Sequence, residues 1–179
     1  MPECTDAELV EAARNGDVNS FGELYRRHYV SAVGIAFSAL SDHHSAEDAA
    51  QEAFAIACRD LGHLRSSDKF AAWLGMICRR TARRLARSRF RQSLPVEEIA
   101  FAPATDPAEE QANLVRQAVR QLPERCREVI VLHYFSGLSY EEMAAVLRSS
   151  PQAVHGRLIR ARRKMVGILK ANGLTGRKS

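Results

Sequence analysis

Side chains that could read DNA bases recur along one face of a segment near the C-terminal end of this chain. On a helix of 3.6 residues per turn, residues 151–165 divide into two opposite arcs. One arc is apolar and consists of Val154, Leu158, Ala161 and Met165. The other consists of Gln152, His155, Gly156, Ile159, Arg160 and Arg163. In the DNA major groove Gln pairs with adenine and Arg with guanine, so this second arc has the chemistry of a base-reading helix. A solvated, arginine-rich surface helix is the alternative interpretation of the segment taken alone.

A preceding short helix and a tight turn are predicted to position that face. Ser139 and Glu142 have the spacing of a capping box, so a helix should begin directly after Ser139. Pro151 disfavours the helical conformation at the residue before it and suits the first position of a new helix, for which Ser150 is the natural N-cap. Residues 136–165 are therefore predicted to form a helix-turn-helix, and this context favours DNA binding.

A second basic segment lies in the first half of the chain. It begins with apolar residues at helical spacing, including Phe70 and Trp73. It continues with seven arginines and no acid among them: Arg79, Arg80, Arg83, Arg84, Arg87, Arg89 and Arg91. Aromatic rings can stack on single-stranded bases and arginines can contact phosphates, so the segment favours nucleic acid. A membrane-surface helix is the competing interpretation, but no bulky apolar face continues beyond Leu85.

Charge divides the 179 residues into three parts. Residues 1–92 carry 13 Lys/Arg and 12 Asp/Glu, residues 93–113 carry none and 5, and residues 114–179 carry 13 and 4, which gives net charges of +1, −5 and +9. The acidic stretch also contains three prolines, so we predict a flexible linker between two small helical domains. The basic C-terminal domain has the electrostatic character of a nucleic-acid-binding surface.

Helical periodicity in the remaining segments predicts an all-α fold. We expect a first helix after the capping box of Thr5 and Glu8, and a third helix with Ser45 as its cap. Residues 63–68 are predicted to be a polar loop. The polar side of the third helix, which by spacing alone indicates only contact with water, is formed by Asp48, Gln51, Glu52 and Arg59.

Several classes of protein are disfavoured by the composition. The cysteines have no paired ligand spacing, so we expect reduced thiols and neither a zinc ribbon nor a disulfide framework. The start of the chain is polar and acidic, and no apolar run approaches the roughly 20 residues of a membrane span. A metal site built on His43, His44 and Cys58 is disfavoured because adjacent helical histidines point about 100° apart. We predict a cytoplasmic protein with no metal, no cofactor, no small-molecule substrate and no membrane insertion.

Six motifs occur in an order that resembles one known family. They are D-A-E-L-V at 6–10, A-E-D-A-A-Q-E-A-F at 46–54, F-A-A-W-L at 70–74, L-P-E-R-C-R-E-V at 122–129, G-L-S-Y-E-E-M-A at 137–144 and R-L-I-R-A-R-R-K at 157–164. Together they resemble extracytoplasmic-function (ECF) sigma factors of bacterial RNA polymerase. Each motif alone is weak, but the ordered set extends over residues 6–169 and is strong.

The resemblance implies a non-enzymatic initiation factor with two DNA-binding domains, at 1–92 and 114–179, joined by the 93–113 linker. Core RNA polymerase, through the clamp helices of its largest subunit, would be bound by Asp48, Gln51, Glu52 and Phe54. The alternative for Phe54, which lies on the apolar side of the third helix, is a core position. The minus-10 element of promoter DNA would be opened by Arg65, Ser66, Ser67, Lys69, Phe70, Trp73, Arg80, Arg83, Arg84 and Arg87. The minus-35 element would be read by Gln152, His155, Gly156, Arg157, Ile159, Arg160 and Arg163. An anti-sigma factor is a further implied partner.

The recognition helix departs from the family pattern at three positions. A fixed positive charge is replaced by the titratable His155, a serine donor is lost at Gly156, and a glutamine appears at Gln152. In the first domain, Arg80 and Arg84 stand where relatives carry Asn and Asp. These changes indicate altered promoter preference. The alternative function is a stand-alone helix-turn-helix regulator that does not contact polymerase.

Overall fold

A computed structural model describes residues 4–92 and 107–172, and within them every regular element is helical. The helices are α1 (Asp6–Arg14), α2 (Val18–Leu40), α3 (His43–Asp60), α4 (Phe70–Gln92), α5 (Pro107–Gln121), α6 (Glu124–Tyr134), α7 (Tyr140–Leu147) and α8 (Pro151–Ala171). Short 3-10 turns at Leu61–His63 and Ser67–Lys69 lie inside the predicted polar loop and at its borders. The predicted all-α fold is confirmed.

Local capping determines where most of these helices begin. Thr5 and Glu8 form the predicted capping box of α1, Ser139 begins α7 in the same way, and Ser150 accepts a hydrogen bond from a backbone N–H of α8. The prediction for α3 is wrong. Its cap is Asp42, which accepts from the backbone N–H of Ser45 at 3.0 Å, so the helix begins two residues before Ser45. Both Asp42 and Ser45 have side chains that can cap a helix, and the carboxylate of Asp42 is the one that does so.

The predicted linker at 93–113 is only partly described. Residues 93–106 lie outside the described residues, whereas 107–113 form the first turns of α5. The helix begins at Pro107, where a proline ring costs no backbone hydrogen bond because the first N–H groups of a helix have no partner within it.

The first four helices pack around α2, whose buried face includes Leu24, Ile35 and Ala36. In the C-terminal half α8 packs on α5, α6 and α7 and buries Val154 and Leu158. The two halves also contact each other directly, α2 against α6 and α4 against α7.

Candidate nucleic-acid interface

The second helix of the helix-turn-helix presents the predicted base-reading arc to solvent. Val154, Leu158 and Ala161 are at most 1% exposed, which fixes the rotation of α8 about its axis. On the opposite side Gln152, His155, Ile159, Arg160 and Arg163 are exposed, and Gly156 and Arg157 are partly exposed. All seven predicted minus-35 residues therefore lie outside the buried stripe, on a helix whose orientation is set by its apolar face.

The turn before α8 depends on one residue with a left-handed backbone. Arg148 follows α7 with φ 51°, and its N–H donates to carbonyl oxygens at the end of α7. This conformation reverses the chain within Arg148, Ser149 and Ser150, so that α8 begins directly at Pro151. The short turn joins α7 and α8 in the order of a helix-turn-helix, the motif whose second helix enters the DNA major groove.

Aromatic contacts that the sequence patterns did not reveal support the base-reading helix. The ring of Tyr140 lies edge-on to His155 with centroids 5.3 Å apart, and it stacks on His133 at 5.9 Å. Further along α8, Arg162 lies over the ring of Tyr134 at 5.5 Å and donates to its hydroxyl at 2.8 Å. These contacts restrict the side-chain conformations of His155 and of Arg162. The residues involved come together only because α6 and α7 pack beside α8.

The arginines of α4 divide into two groups. Arg80, Arg84 and Arg87 are exposed, whereas Arg79 and Arg83 are partly buried and form ion pairs with α6. Together they line a cleft of about 1260 Å³. The opposite side of the cleft is formed by Val146 of α7 and by Arg148 in the turn after α7. Trp73, Met76 and Ile77 of α4 form the apolar part of the cleft wall. The cleft combines positive charge with an aromatic ring, which suits a single-stranded nucleic acid.

Phe70 is not available for the base contact predicted for it. Its side chain is wholly buried, with ring contacts to His28 at 5.4 Å and to Trp73 at 6.1 Å. The prediction that Phe70 contacts the minus-10 element is wrong in this arrangement, because the first residue of α4 points into the core. Trp73, in contrast, is partly exposed and lines the cleft.

The segment before α4 is held in place by an arginine of α1. Arg14 donates to the carbonyl oxygens of Leu61 and Leu64 and to the hydroxyl of Ser67. Among the predicted minus-10 residues, Arg65, Ser66 and Lys69 are exposed on this segment, while Ser67 is partly buried by its bonds to Arg14 and to Glu11. Sequence patterns did not indicate these hydrogen bonds because Arg14 is 47 to 53 residues from its acceptors along the chain.

The predicted polymerase-binding residues fall on two sides of α3. Asp48 and Gln51 are exposed, and Glu52 is partly exposed and forms an ion pair with Arg84 of α4. Phe54 is only 3% exposed and packs against the rings of Tyr25 and Phe21. The core position that the apolar side of the third helix predicts for Phe54 is therefore correct, and the side chain is not available for the docking contact that the resemblance implies.

The titratable groups do not form a metal-binding cluster within the described residues. No three potential metal ligands come together there. His43 and His44 are exposed and pair with Glu47 and Asp48 on the next turn of α3. Burial raises the pKa of the Cys78 thiol to about 12, so Cys78 is a small core residue and not a nucleophile at neutral pH. Along the same residues, none of the helices combines the length and apolar character that crossing a bilayer requires.

A helix-turn-helix with an exposed polar face, joined to a second helical unit with an arginine-lined cleft, defines the class of two-part nucleic-acid-binding proteins. Residues 24–92 match the family model described as Sigma-70 region 2, and residues 112–165 match the model described as Sigma-70, region 4. One match lies within each half of the fold.

Curated relatives and solved structures agree with those matches. The chain is 32% identical to the RNA polymerase sigma-H factor of Pseudomonas aeruginosa over 88% of this chain and 90% of the relative, and 33% identical to the ECF RNA polymerase sigma-E factor of Escherichia coli K12 over 88% and 91%. Among solved structures it resembles CnrH in complex with the cytosolic domain of CnrY, with a TM-score of 0.70, 32% identity and coverage of 94% and 99%. It also resembles the sigma factor RpoE of Bartonella quintana in complex with the anti-sigma factor NepR, with a TM-score of 0.73, 26% identity and coverage of 86% and 98%.

The chain belongs to the sigma-70 family of RNA polymerase sigma factors, in its ECF group. It is a transcription initiation factor that binds core RNA polymerase and directs it to promoters. Proteins of this family are in general non-enzymatic, and the stand-alone regulator considered from the sequence is not favoured.

Proposed function

We propose that the C-terminal domain, predicted at 114–179, reads the minus-35 element through the exposed arc of α8. This proposal rests on one observation: α8 has a fully buried apolar stripe on one side and long hydrogen-bond donors on the exposed side. Arg160 and Arg163 lie at the centre and far end of this face, and Gln152 lies at its start. A well-placed bidentate pair contributes about 1 to 3 kcal/mol of discrimination against the wrong base.

The N-terminal domain, predicted at 1–92, opens the minus-10 element in this proposal. Arg80, Arg84 and Arg87 offer exposed guanidinium groups to phosphates, and Trp73 offers a partly exposed ring to an unstacked base. Stacking on an aromatic ring is worth about 1 to 3 kcal/mol per base, which offsets much of the cost of unstacking. Arg65 and Ser66 would meet the displaced strand before it reaches the cleft.

Docking on the polymerase clamp is assigned to the exposed side of α3, with Asp48 and Gln51 as direct contacts and Glu52 shared between polymerase and Arg84. We propose that the protein acts in the cytoplasm, where core polymerase transcribes, and that it catalyses no reaction itself. We also propose an anti-sigma factor as a regulatory partner, since both solved relatives described above are complexes, one of them with a named anti-sigma factor.

In vitro transcription tests these assignments. The full chain and core polymerase are incubated with a library of genomic fragments, and we expect promoter-specific transcripts that neither component produces alone. The double variant Asp48→Ala/Gln51→Ala should lose transcripts and co-elution with core polymerase, whereas Glu141→Ala, which removes an exposed acid on α7, should keep both. Operator binding without transcripts and without co-elution would instead establish a stand-alone regulator.

A further inference from the structure

One side chain of α1 holds the segment between α3 and α4 at three points. Arg14 Nε donates to the carbonyl oxygen of Leu61 at 3.3 Å, and Nη2 donates to that of Leu64. The remaining nitrogen, Nη1, donates to Ser67 Oγ at 3.2 Å. Residues 61–69 consist of two short 3-10 turns and the residues that join them. One guanidinium group therefore ties together a stretch of chain that has little regular structure of its own.

A carboxylate of α1 completes this set of contacts. Ser67 Oγ donates to Glu11 Oε1, and Arg14 Nη1 donates to the same oxygen at 2.7 Å. The hydrogen bond from Ser67, with a smaller contribution from the charge of Arg14, holds the pKa of Glu11 below its ordinary value of 4.5, so the carboxylate is ionised at neutral pH. Glu11, Arg14 and Ser67 thus form a closed triangle of hydrogen bonds, which we call the Arg14 clamp.

The Arg14 clamp differs from an ordinary ion pair. Arg79 of α4 donates to the buried carboxylate of Glu128 at 2.8 Å, and a contact of this kind determines one distance. Arg14 instead distributes its three nitrogen atoms over two backbone carbonyl oxygens and one hydroxyl group. Because the guanidinium is a rigid plane, its donors determine both the position and the orientation of the segment that they bind.

The clamp lies on both sides of two exposed residues. Leu61 and Leu64 are buried, whereas Arg65 and Ser66 are exposed. The carbonyl group of Leu64 belongs to the peptide bond that joins it to Arg65, and Ser67 directly follows Ser66. Arg14 therefore binds the chain immediately before and immediately after the exposed pair, which is the pair that the proposed function assigns to the displaced strand.

The other end of α1 is anchored to α2. Asp6 Oδ2 pairs with His28 Nε2 at 2.5 Å, and Asp6 Oδ1 accepts from Arg27 at 3.3 Å. The ring of His28 contacts Phe70, the first residue of α4, with centroids 5.4 Å apart. Both ends of α1 are therefore held, and the helix can support the segment before α4 in one position.

We propose that Arg14 is a positioning residue for minus-10 recognition: through the clamp it sets the course of the backbone at 64–67 and so the direction in which Arg65 and Ser66 meet the displaced strand. Ser67 is then an anchor of the segment and does not contact DNA. The Arg14 side chain is only 22% exposed and its donors are occupied within the protein, so it acts through the backbone and not as a phosphate contact. This inference rests on the proposed function of the segment and names the residue that determines its geometry.

Transcription by core polymerase and the full-length chain, from promoters randomised in the minus-10 element, tests the inference. Arg14→Ala should reduce discrimination at the positions that the segment reads by about tenfold, within the range that one mismatched base pair costs, and should leave the minus-35 preference unchanged. Arg14→Lys keeps the charge, but its single nitrogen cannot span the three acceptors, so it should lose as much discrimination as Arg14→Ala. Full discrimination by Arg14→Lys would overturn the positioning role. The matched control is Arg26→Ala, which removes an exposed arginine of α2 and should change nothing.

A double-mutant cycle distinguishes an anchor from a DNA contact at Ser67. Ser67→Ala should relax discrimination at the same positions as Arg14→Ala. The double variant Arg14→Ala/Ser67→Ala should be no worse than Arg14→Ala alone, because both substitutions remove the same clamp. Additive losses would show that Ser67 contacts DNA by itself, and would overturn its assignment as an anchor.

Hydrogen exchange of the free protein measures the clamp without DNA. Backbone amides at 61–69 should exchange faster in Arg14→Ala and Arg14→Lys than in the parent protein, because the segment opens more often. Amides of α3 should keep their rates, which verifies that the variants remain folded. Unchanged exchange at 61–69 would overturn the clamp.

A variant of the exposed pair separates failure of the inference from failure of the proposed function. Arg65→Ala/Ser66→Ala removes the reading side chains and leaves the clamp in place. If this variant selects the same minus-10 sequences as the parent protein, the proposed function of the segment fails and the positioning role fails with it. If it loses discrimination while Arg14→Ala does not, only the positioning role is overturned.

Discussion

The two basic helices of this protein use the same residue type in opposite ways. On α8 the buried face is purely apolar, and Arg160 and Arg163 extend from the other face into solvent. On α4 the arginines continue around the helix, so that Arg79 and Arg83 turn toward α6 and only part of the set remains exposed. An arginine-rich sequence therefore indicates a binding surface only where an apolar stripe already accounts for the buried side.

The largest expected effect tests the buried side of α4. Arg79→Ala leaves Glu128 with less compensation for its lost hydration, and we expect the free energy of unfolding to fall by about 3 kcal/mol, the lower end of the effect of breaking a buried ion pair. The neighbouring Arg80→Ala should change it by less than about 0.5 kcal/mol, as for an ordinary surface position. Urea denaturation followed by circular dichroism measures the free energy of unfolding of both variants. Equal stability of the two variants would show that the buried and exposed sides of α4 do not differ in their contribution to the fold.

The exposed side of α8 is tested by DNA binding. Arg160→Ala should cost about 1 to 3 kcal/mol in binding to the preferred minus-35 sequence and relax the preference at one base pair, if the guanidinium reads a base. Arg80→Ala on α4 should instead weaken binding to all sequences alike and reduce the salt slope by about 1. Selection from randomised promoters distinguishes the two patterns. A uniform loss for Arg160→Ala would make it a phosphate contact.

A smaller effect concerns the helix that supports α8. Ser139→Ala removes the cap of α7 and should lower the free energy of unfolding by about 1 kcal/mol. Hydrogen bonds from Ser139, the backbone one foremost, hold the pKa of Glu142 below its ordinary value of 4.5. The contribution of this carboxylate is therefore complete above pH 4.5 and is lost as the pH falls through the lowered pKa. Ser139→Ala keeps the backbone N–H that donates to Glu142, so the pH dependence is tested with Glu142→Gln, which cannot ionise. The difference in the free energy of unfolding between the parent protein and Glu142→Gln should shrink as the pH falls below 4.5, and a constant difference would contradict the assignment.

The smallest effect is expected at Gly156. A Cβ there would meet only the end of the Arg160 side chain, at 3.6 Å, which is ordinary contact. Gly156→Ser should raise the free energy of unfolding by about 0.5 kcal/mol, since glycine is the poorer helix former. The variant also restores a donor on the base-reading face, and randomised promoter selection should show a changed preference at one position. Loss of stability would show that the helix needs glycine here.

Local features of the fold could be predicted from the sequence because their causes are local. The capping boxes at Thr5 and Ser139 and the buried stripe of α8 depend on residues within one or two turns. Helical spacing predicts the buried position of Phe54, whereas its motif implies an external contact. Phe70 is assigned to a contact outside the protein, since motif position does not reveal the direction of a side chain. The start of α3 was misplaced because Ser45 and Asp42 are both good caps.

Long-range pairs could not be predicted in this way. Arg79 and Glu128 are separated by 49 residues, and Lys69 and Glu142 by 73. No periodicity relates such positions, and opposite charges are too common for composition to select partners. The clamp formed by Arg14 was missed for the same reason, since its carbonyl acceptors exist only once α1 packs beside the segment before α4.

Arg148 shows how one position can serve two opposed requirements. Its left-handed backbone is one that glycine adopts without steric cost and that other residues adopt at a cost of roughly 1 to 2 kcal/mol. The side chain that would be lost in a change to glycine lines the cleft beside α4. The backbone of this turn would therefore cost less free energy with glycine than with arginine. Arginine at this position instead places a positive charge at the surface where the two halves meet.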